Sequence, residues 1–210
     1  MQSSETLSTQ EKIKAAAREV FIKKGYAAAK TRHIADVAGI NLALLNYYFR
    51  SKEKLFHIII METLAELFDT FEAIIKNPET SIPDKVRLMV TAYLDTLVVQ
   101  PDIPLFIINE VNRNPKLVIQ DLKINERIQS EHFIQQWSAF AAKNGIPTQH
   151  FIHILVNTVS MTVFPFLAKP VLSEVFGIKD QDFVDFVNQR KQLIPTWFDV
   201  IVQSYKQKPL

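Results

Sequence analysis

Cysteine is absent from the 210-residue chain. That excludes a disulfide framework, a thiolate nucleophile, a zinc finger and a cysteine-ligated iron–sulfur cluster, and a reducing cytoplasm suits such a chain. Glycine is nearly as scarce. The four present, Gly25, Gly39, Gly145 and Gly177, are isolated from one another, so neither a dinucleotide fingerprint nor a phosphate-cradling P-loop can be written. Acidic and basic side chains are missing altogether between Lys143 and Lys169. A run of that length could pass for a membrane span, but His153, Asn157, Thr158, Ser160, Thr162 and Pro165 place polar groups or a helix breaker where hydrocarbon offers no water. A helix buried on nearly all sides by protein is expected instead. The polar start, Met1 to Gln10 with Glu5, lacks the basic opening and apolar run of an export signal, so a cytoplasmic protein with no membrane partner is expected.

What the chain has is a globular balance of 48% hydrophobic and 22% charged residues, with a formal net charge of only +2. The small sum conceals an uneven distribution. Up to Lys54 ten Lys and Arg face five Asp and Glu, while the rest holds fourteen against seventeen. A basic front quarter on a mildly acidic body points to a polyanionic partner for the front.

No alternating strand pattern is present, and the apolar spacing is helical throughout. A capping box of Ser8 and Glu11 opens a first helix carrying Ile13, Ala17, Val20 and Phe21, which Gly25 closes. A second helix covers Thr31 to Ala38. Gly39 and Ile40 form a turn, Asn41 caps a third helix to about Tyr48, and a fourth runs from near Ser51 towards Ile75. Ser81, Pro83 and Asp84 start a fifth helix reaching about Gln100. Pro101 and Pro104 precede a short apolar helix ending at Arg113, and a long helix is expected from Lys116 to Lys143. The charge-free helix follows from Pro147 to Ala168. The last, Asp180 to Tyr205, carries an apolar stripe with a kink expected at Pro195. The fold class is all-α, about nine helices: a three-helix domain over residues 1–50 and a larger helical domain over 51–210.

Residues 31–50 satisfy the requirements of a helix-turn-helix. Ala35 is the small residue at the crossing and Gly39 tolerates positive φ in the turn. Ile34, Ala38, Ile40, Leu45 and Phe49 supply the buried side. The outward residues are of DNA-reading types. Thr31, with the helix N-terminal N–H groups, can hold a phosphate, and Lys30 adds charge beside it. Arg32 can contact guanine in bidentate fashion, Asn46 can pair with adenine, and Ala43 or Leu44 can touch a thymine methyl. Tyr47, Tyr48 and Lys52 suit flanking phosphates.

The stretch from Val20 to Phe56, with FIKKGYAAAKTRHIADVAGINLALLNYYFRSKEKLF after Val20, resembles the DNA-binding domain of the TetR family of bacterial transcriptional regulators. The resemblance implies that Thr31 contacts phosphate and Arg32 a base. It also implies that Ala43, Leu44 and Tyr47 face the groove, and that Tyr48 and Lys52 clamp the backbone. Asn41, Ala43 and Asn46 depart from the serine, glycine and tyrosine frequent there; Asn41 still caps, and Asn46 alters the expected operator contact. The family also dimerises through its last two long helices.

Two nearly all-apolar helices independently suggest a partner surface in a homodimer, for which Ser160, Phe164, Val187, Ile194, Phe198 and Ile201 are candidates. A twofold dimer would demand a palindromic operator in double-stranded DNA. Phe106, Asn109, Glu110, Arg113, Trp137 and Asn157 set polar groups among large apolar ones and are candidates for binding a small apolar or amphipathic effector. His150 and His153 have no third ligand at diagnostic spacing, and no nucleophile motif is present, so no metal, cofactor or catalysis is expected. The expected function is a ligand-responsive transcriptional repressor. The alternatives are an effector-independent DNA-binding regulator or activator, and a helical small-molecule-binding protein with no DNA role.

Overall fold

The computed structural model describes residues 8–113, 115–123 and 130–207, without the side chains of Glu110, Arg113, Leu117, Val118 and Gln207. The described residues form eleven α-helices and no strand. The chain divides into two compact units, the first ending at Ala65 and the second beginning at Glu66.

The first unit contains α1 (Thr9–Ala28), α2 (Thr31–Ala38), α3 (Leu42–Phe49) and the start of α4 (Lys52–Lys76). The Ser8 hydroxyl accepts the Glu11 N–H and opens α1, whose buried face is Ile13, Ala16, Ala17, Val20 and Phe21. Gly25 interrupts the helix with φ 70° and ψ 167°, a conformation that costs glycine least. The division falls inside α4 rather than at residue 50 because Leu55, Phe56, Ile59 and Ile60 complete this small core. Phe56 sets its ring edge-on to Phe21 at 4.9 Å. Polar ties add to the apolar ones: Lys14 reaches Glu62 at 2.6 Å, and Arg18 donates to the Thr63 hydroxyl at 3.0 Å. Hydrogen bonds to Glu11 and Glu62 hold the Lys14 ammonium above the ordinary lysine value. Its contribution is therefore complete at neutral pH and is lost only as pH rises through that elevated value.

The second unit comprises the end of α4 with α5 (Ile82–Val99), α6 (Ile103–Arg113), α7 (Pro115–Asp121), α8 (Glu131–Asn144), α9 (Phe151–Leu167), α10 (Lys169–Phe176) and α11 (Asp180–Gln207). Helix α5 lies centrally, packed on α8, α9 and α11. Lys85 on α5 is 1% exposed. Its ammonium donates to the carbonyls of Ile74 and Asn77 at 2.8 and 2.6 Å and to the Thr80 hydroxyl at 2.7 Å. These carbonyls at the end of α4, which also accept from the Asn77 N–H and the Thr80 hydroxyl, thereby gain a charged donor. Burial pushes this ammonium below the ordinary lysine value.

Several sequence expectations are corrected here. Among the described residues, the helix expected from Lys116 to Lys143 is broken, one helix ending at Asp121 and another starting at Glu131. Helix ends at Asp121, Lys123 takes φ 49°, and the buried Ser130 opens the later helix by accepting the Phe133 N–H. The segment Lys169–Phe176 forms a separate helix because Pro170 fits its first turn and Gly177, at φ 68°, ends it. The charge-free helix is not buried on nearly all sides. A helix over Thr148–Leu167 is long and apolar enough to cross a membrane by length and composition, yet only 17% of its apolar window is buried. Ile152, Val156 and Phe164 are more than half exposed.

A proline inside that helix has a specific consequence. Pro165 lacks the N–H that would reach the Met161 carbonyl four residues back. Arg190 from α11 supplies the missing donor, with Nη2 at 2.7 Å and Nε at 3.2 Å from that oxygen. Its guanidinium also lies over the rings of Phe186 and Trp197. Thus α9 is fastened to α11 at the point where its own hydrogen-bond ladder fails.

Candidate nucleic-acid interface

The geometry of the basic unit follows from two short helices and the turn between them. Ile34 and Ala35 are buried at 0% and 1% exposure, which fixes the inner face of α2 and leaves Arg32 and Asp36 outward. Gly39 adopts φ 67° and returns its N–H to α2, closing the turn. No heavy atom lies within 4 Å of a Cβ built there, so backbone conformation rather than space favours glycine. Asn41 then caps α3, its side-chain oxygen accepting the Leu44 N–H at 2.8 Å. Leu45 and Phe49 anchor α3 inward.

With those anchors fixed, the expected DNA residues sort by exposure. Lys30, Arg32, Asn41, Ala43, Asn46, Tyr47 and Tyr48 are exposed, and Thr31 and Leu44 are half-buried. Tyr47 is 78% exposed, an unusual position for so large a ring in a folded chain. Its ring meets Tyr48 edge-on at 5.4 Å. Residues on the first turn of α2 and along the outer side of α3 therefore present cationic, amide, phenolic and methyl groups together, the set that reads phosphates and base edges.

Lys52 differs from the expectation. Its ammonium donates to the carbonyls of Tyr26 and Ala29 at 2.9 and 3.1 Å and lies 4.3 Å from the centre of the Tyr26 ring. Instead of reaching outward, it ties the end of α1 and the residue that follows it to the start of α4. Replacing it with methionine should cost about 1.5–3 kcal/mol, the range for hydrogen bonds to a charged group. Chemical denaturation of the free protein would measure this, and an unchanged midpoint would contradict the staple.

The model of bacterial regulatory proteins of the tetR family matches residues 13–59, which are α1 to α3 and the beginning of α4. That segment is a tetR-family domain. Over 84% of its length and 86% of the relative's, it is 25% identical to the probable HTH-type transcriptional regulator YttP of Bacillus subtilis (strain 168). Solved structures share its fold. A TetR/AcrR-family regulator from Thermobifida fusca YX-ER1 has a TM-score of 0.60 at 18% identity, covering 89% of this chain and 96% of that one. A TetR regulator from Legionella pneumophila gives 0.58 at 20% identity, covering 94% and 98%. The fatty acid degradation regulator FadR from Bacillus halodurans gives 0.57 at 16% identity, covering 91% and 96%.

In the second unit the expected effector residues are not gathered in one place. Trp137 is buried and Phe106 half-buried, whereas Asn109 and Asn157 are exposed, each on the outer side of its helix. The side chains of Glu110 and Arg113 lie outside the described residues. Trp137 packs against Phe140 and Phe151 in a cluster with Ile82, Ala141, Ile154 and Phe198. Its indole Nε1 and the neighbouring Gln136 Oε1 are buried with no hydrogen-bond partner among the described residues.

The expected interface residues also separate. Ser160 and Phe164 are exposed and Ile201 is half-buried, but Val187, Ile194 and Phe198 are 0%, 0% and 1% exposed within the single chain. The apolar stripe of α11 faces inward onto α5 and α9. A second apolar set on the same helix, Leu193, Trp197 and Val200, remains exposed. Helical spacing would have found it, since these positions recur at i, i+4 and i+7. Among the described residues, no group of three or more metal-ligating side chains occurs.

Proposed function

We propose that this regulator is a homodimeric repressor that binds a palindromic operator and is released by a small, largely apolar effector. The observation that carries the reading is the outer face of α2 and α3. Arg32, Ala43, Asn46 and Tyr47 are all exposed there, on helices whose inner faces are fully anchored. Thr31 is a phosphate contact, Arg32 and Asn46 are base contacts, and Ala43 and Leu44 face thymine methyl groups. Lys30, Tyr47 and Tyr48 add backbone contacts.

Dimerisation is supported by the paired apolar faces of α9 and α11, with Ile152, Val156 and Val159 on one and Leu193, Trp197 and Val200 on the other. Contiguous exposed surface of this kind seeks a partner. Ser160 and Phe164 extend the α9 side. A twofold pair would set recognition helices about 34–36 Å apart and call for a near-palindromic site. Effector binding is supported by the two unpartnered polar atoms beside the aromatic cluster of α8, which a ligand's polar group would satisfy. Helix α4 runs from one unit into the other, so it is the chain's covalent route for coupling effector to DNA. A cytoplasmic location suits a protein with that target.

Selection of bound duplexes from a random-sequence pool at low salt tests the reading. An enriched inverted repeat, bound by a species of twice the monomer mass, is expected. Failure to enrich any sequence would sink it. Thermal stabilisation by amphipathic compounds, with release of the enriched duplex, would establish the effector arm.

A further inference from the structure

We propose that Arg50 is a DNA-phosphate contact, held in place by a strained single-residue turn at the end of the recognition helix. The inference rests on the DNA-binding reading above and extends it to a residue outside the expected set.

The argument begins with chain reversal. Phe49 must stay in the core at 1% exposure, and Leu55 and Phe56 must return to that same core. Ser51 opens α4, its hydroxyl accepting the Lys54 N–H at 3.1 Å and its carbonyl the Leu55 N–H at 3.1 Å. One residue is left between the last residue of α3 and this cap. The turn is correspondingly tight. The Ser51 N–H donates to the Phe49 carbonyl at 2.7 Å, and Arg50 takes φ 63° and ψ −42°. That is a γ-turn of the rare, positive-φ kind, which strains any residue with a Cβ.

Elsewhere the chain assigns such conformations to glycine. Gly25, Gly39, Gly145 and Gly177 all have positive φ, and among the described residues only Arg50 and Lys123 do so without being glycine. The free protein offers Arg50 no compensation. Its side chain is exposed, and no ion pair, hydrogen bond or ring contact to it occurs among the described residues. It also lies beside the first turn of α4, where a cation is electrostatically unfavourable; Glu53 is the acid of that turn. An arginine kept where glycine would relax the backbone, adjoining Tyr47 and Tyr48 on the reading face, fits a group whose partner is a phosphodiester. Lys52, whose ammonium is turned onto protein carbonyls, leaves that task open.

The test compares Arg50→Gly, Arg50→Ala and Arg50→Lys with the parent in two measurements. One is the salt dependence of affinity for a short duplex of arbitrary sequence, and the other is the thermal midpoint without DNA. Each phosphate contact contributes about 0.9 to the slope of log affinity against log salt. Both Arg50→Gly and Arg50→Ala should flatten the slope by about that amount for each protomer bound, and Arg50→Lys should retain it. Arg50→Gly should melt about 2–4 °C above Arg50→Ala, because only glycine relieves the turn. Parental slopes in all three variants would overturn the contact, and equal melting of the glycine and alanine variants would overturn the strain. A parent with no salt-dependent affinity would instead overturn the DNA-binding reading on which the inference stands.

Discussion

Phe198→Ala should lower the stability of the free protein by about 3–5 kcal/mol, the range for removing a buried aromatic ring. The ring is 1% exposed, lies nearly parallel to Phe140 at 6.2 Å between centres, and belongs to the cluster that includes Trp137 and Tyr205. Little nearby could collapse into the space. Helices α5, α8 and α9 hold one another around α11, and the remaining neighbours are themselves large. Denaturant midpoints for variant and parent would measure the loss. The sequence had suggested that this residue faces a second subunit, and that placement makes a different prediction: an unchanged unfolding midpoint with a weakened dimer. Val200 provides the contrast, being 58% exposed two residues further along α11. Val200→Asp should leave the helix folded and shift sedimentation towards the monomer, because it places charge on an apolar surface awaiting a partner.

Arg32→Ala should weaken binding to the selected operator by about 1–3 kcal/mol, or roughly 5- to 150-fold, and relax preference at one base pair of each half-site. The side chain is exposed on the first turn of α2. Its side chain makes no hydrogen bond or ion pair among the described residues, so folding should be unaffected. The base-specific role is separable from a purely electrostatic one by comparing Lys30→Ala, whose loss should be similar on every sequence and flatten the salt dependence. If Arg32→Ala weakened operator and random duplex equally, its role would be phosphate binding and sequence would be read from α3 alone. Competition binding with single-base operator variants distinguishes the two outcomes.

How much of this was legible in the sequence varies along the chain. The first unit was read nearly to the residue. Asn41 caps α3, Gly39 turns the chain, and Ile34, Leu45 and Phe49 are buried as their spacing implied, while Ala38 and Ile40 are half-buried. Each of those features is local: a cap, a turn and two short amphipathic faces are settled within a few residues. Lys52 was read less well. Its basic charge was visible, but the carbonyls that capture it belong to a segment over twenty residues earlier.

In the second unit the helices were legible and their orientations were not. Ser130 and Glu131 carried a helix-start signal inside what looked like one continuous helix, and it was outweighed by the apolar pattern on either side. The inward stripe of α11 and its exposed neighbours are both apolar at helical spacing, so periodicity could not say which faced the chain and which faced outward. The choice between them was made by packing against α5.

The sequence by itself determined an all-helical chain, a helix-turn-helix with its turn and caps, and a basic front end, because these depend on capping, turn conformation and charge within short stretches. Only the tertiary structure decided that Phe198 is core, that Arg190 satisfies the carbonyl Pro165 leaves unpaired, and that Lys52 is held by the carbonyls of Tyr26 and Ala29 while Arg50 is exposed. Those outcomes depend on which distant groups packing brings within hydrogen-bond distance, and no local pattern encodes that.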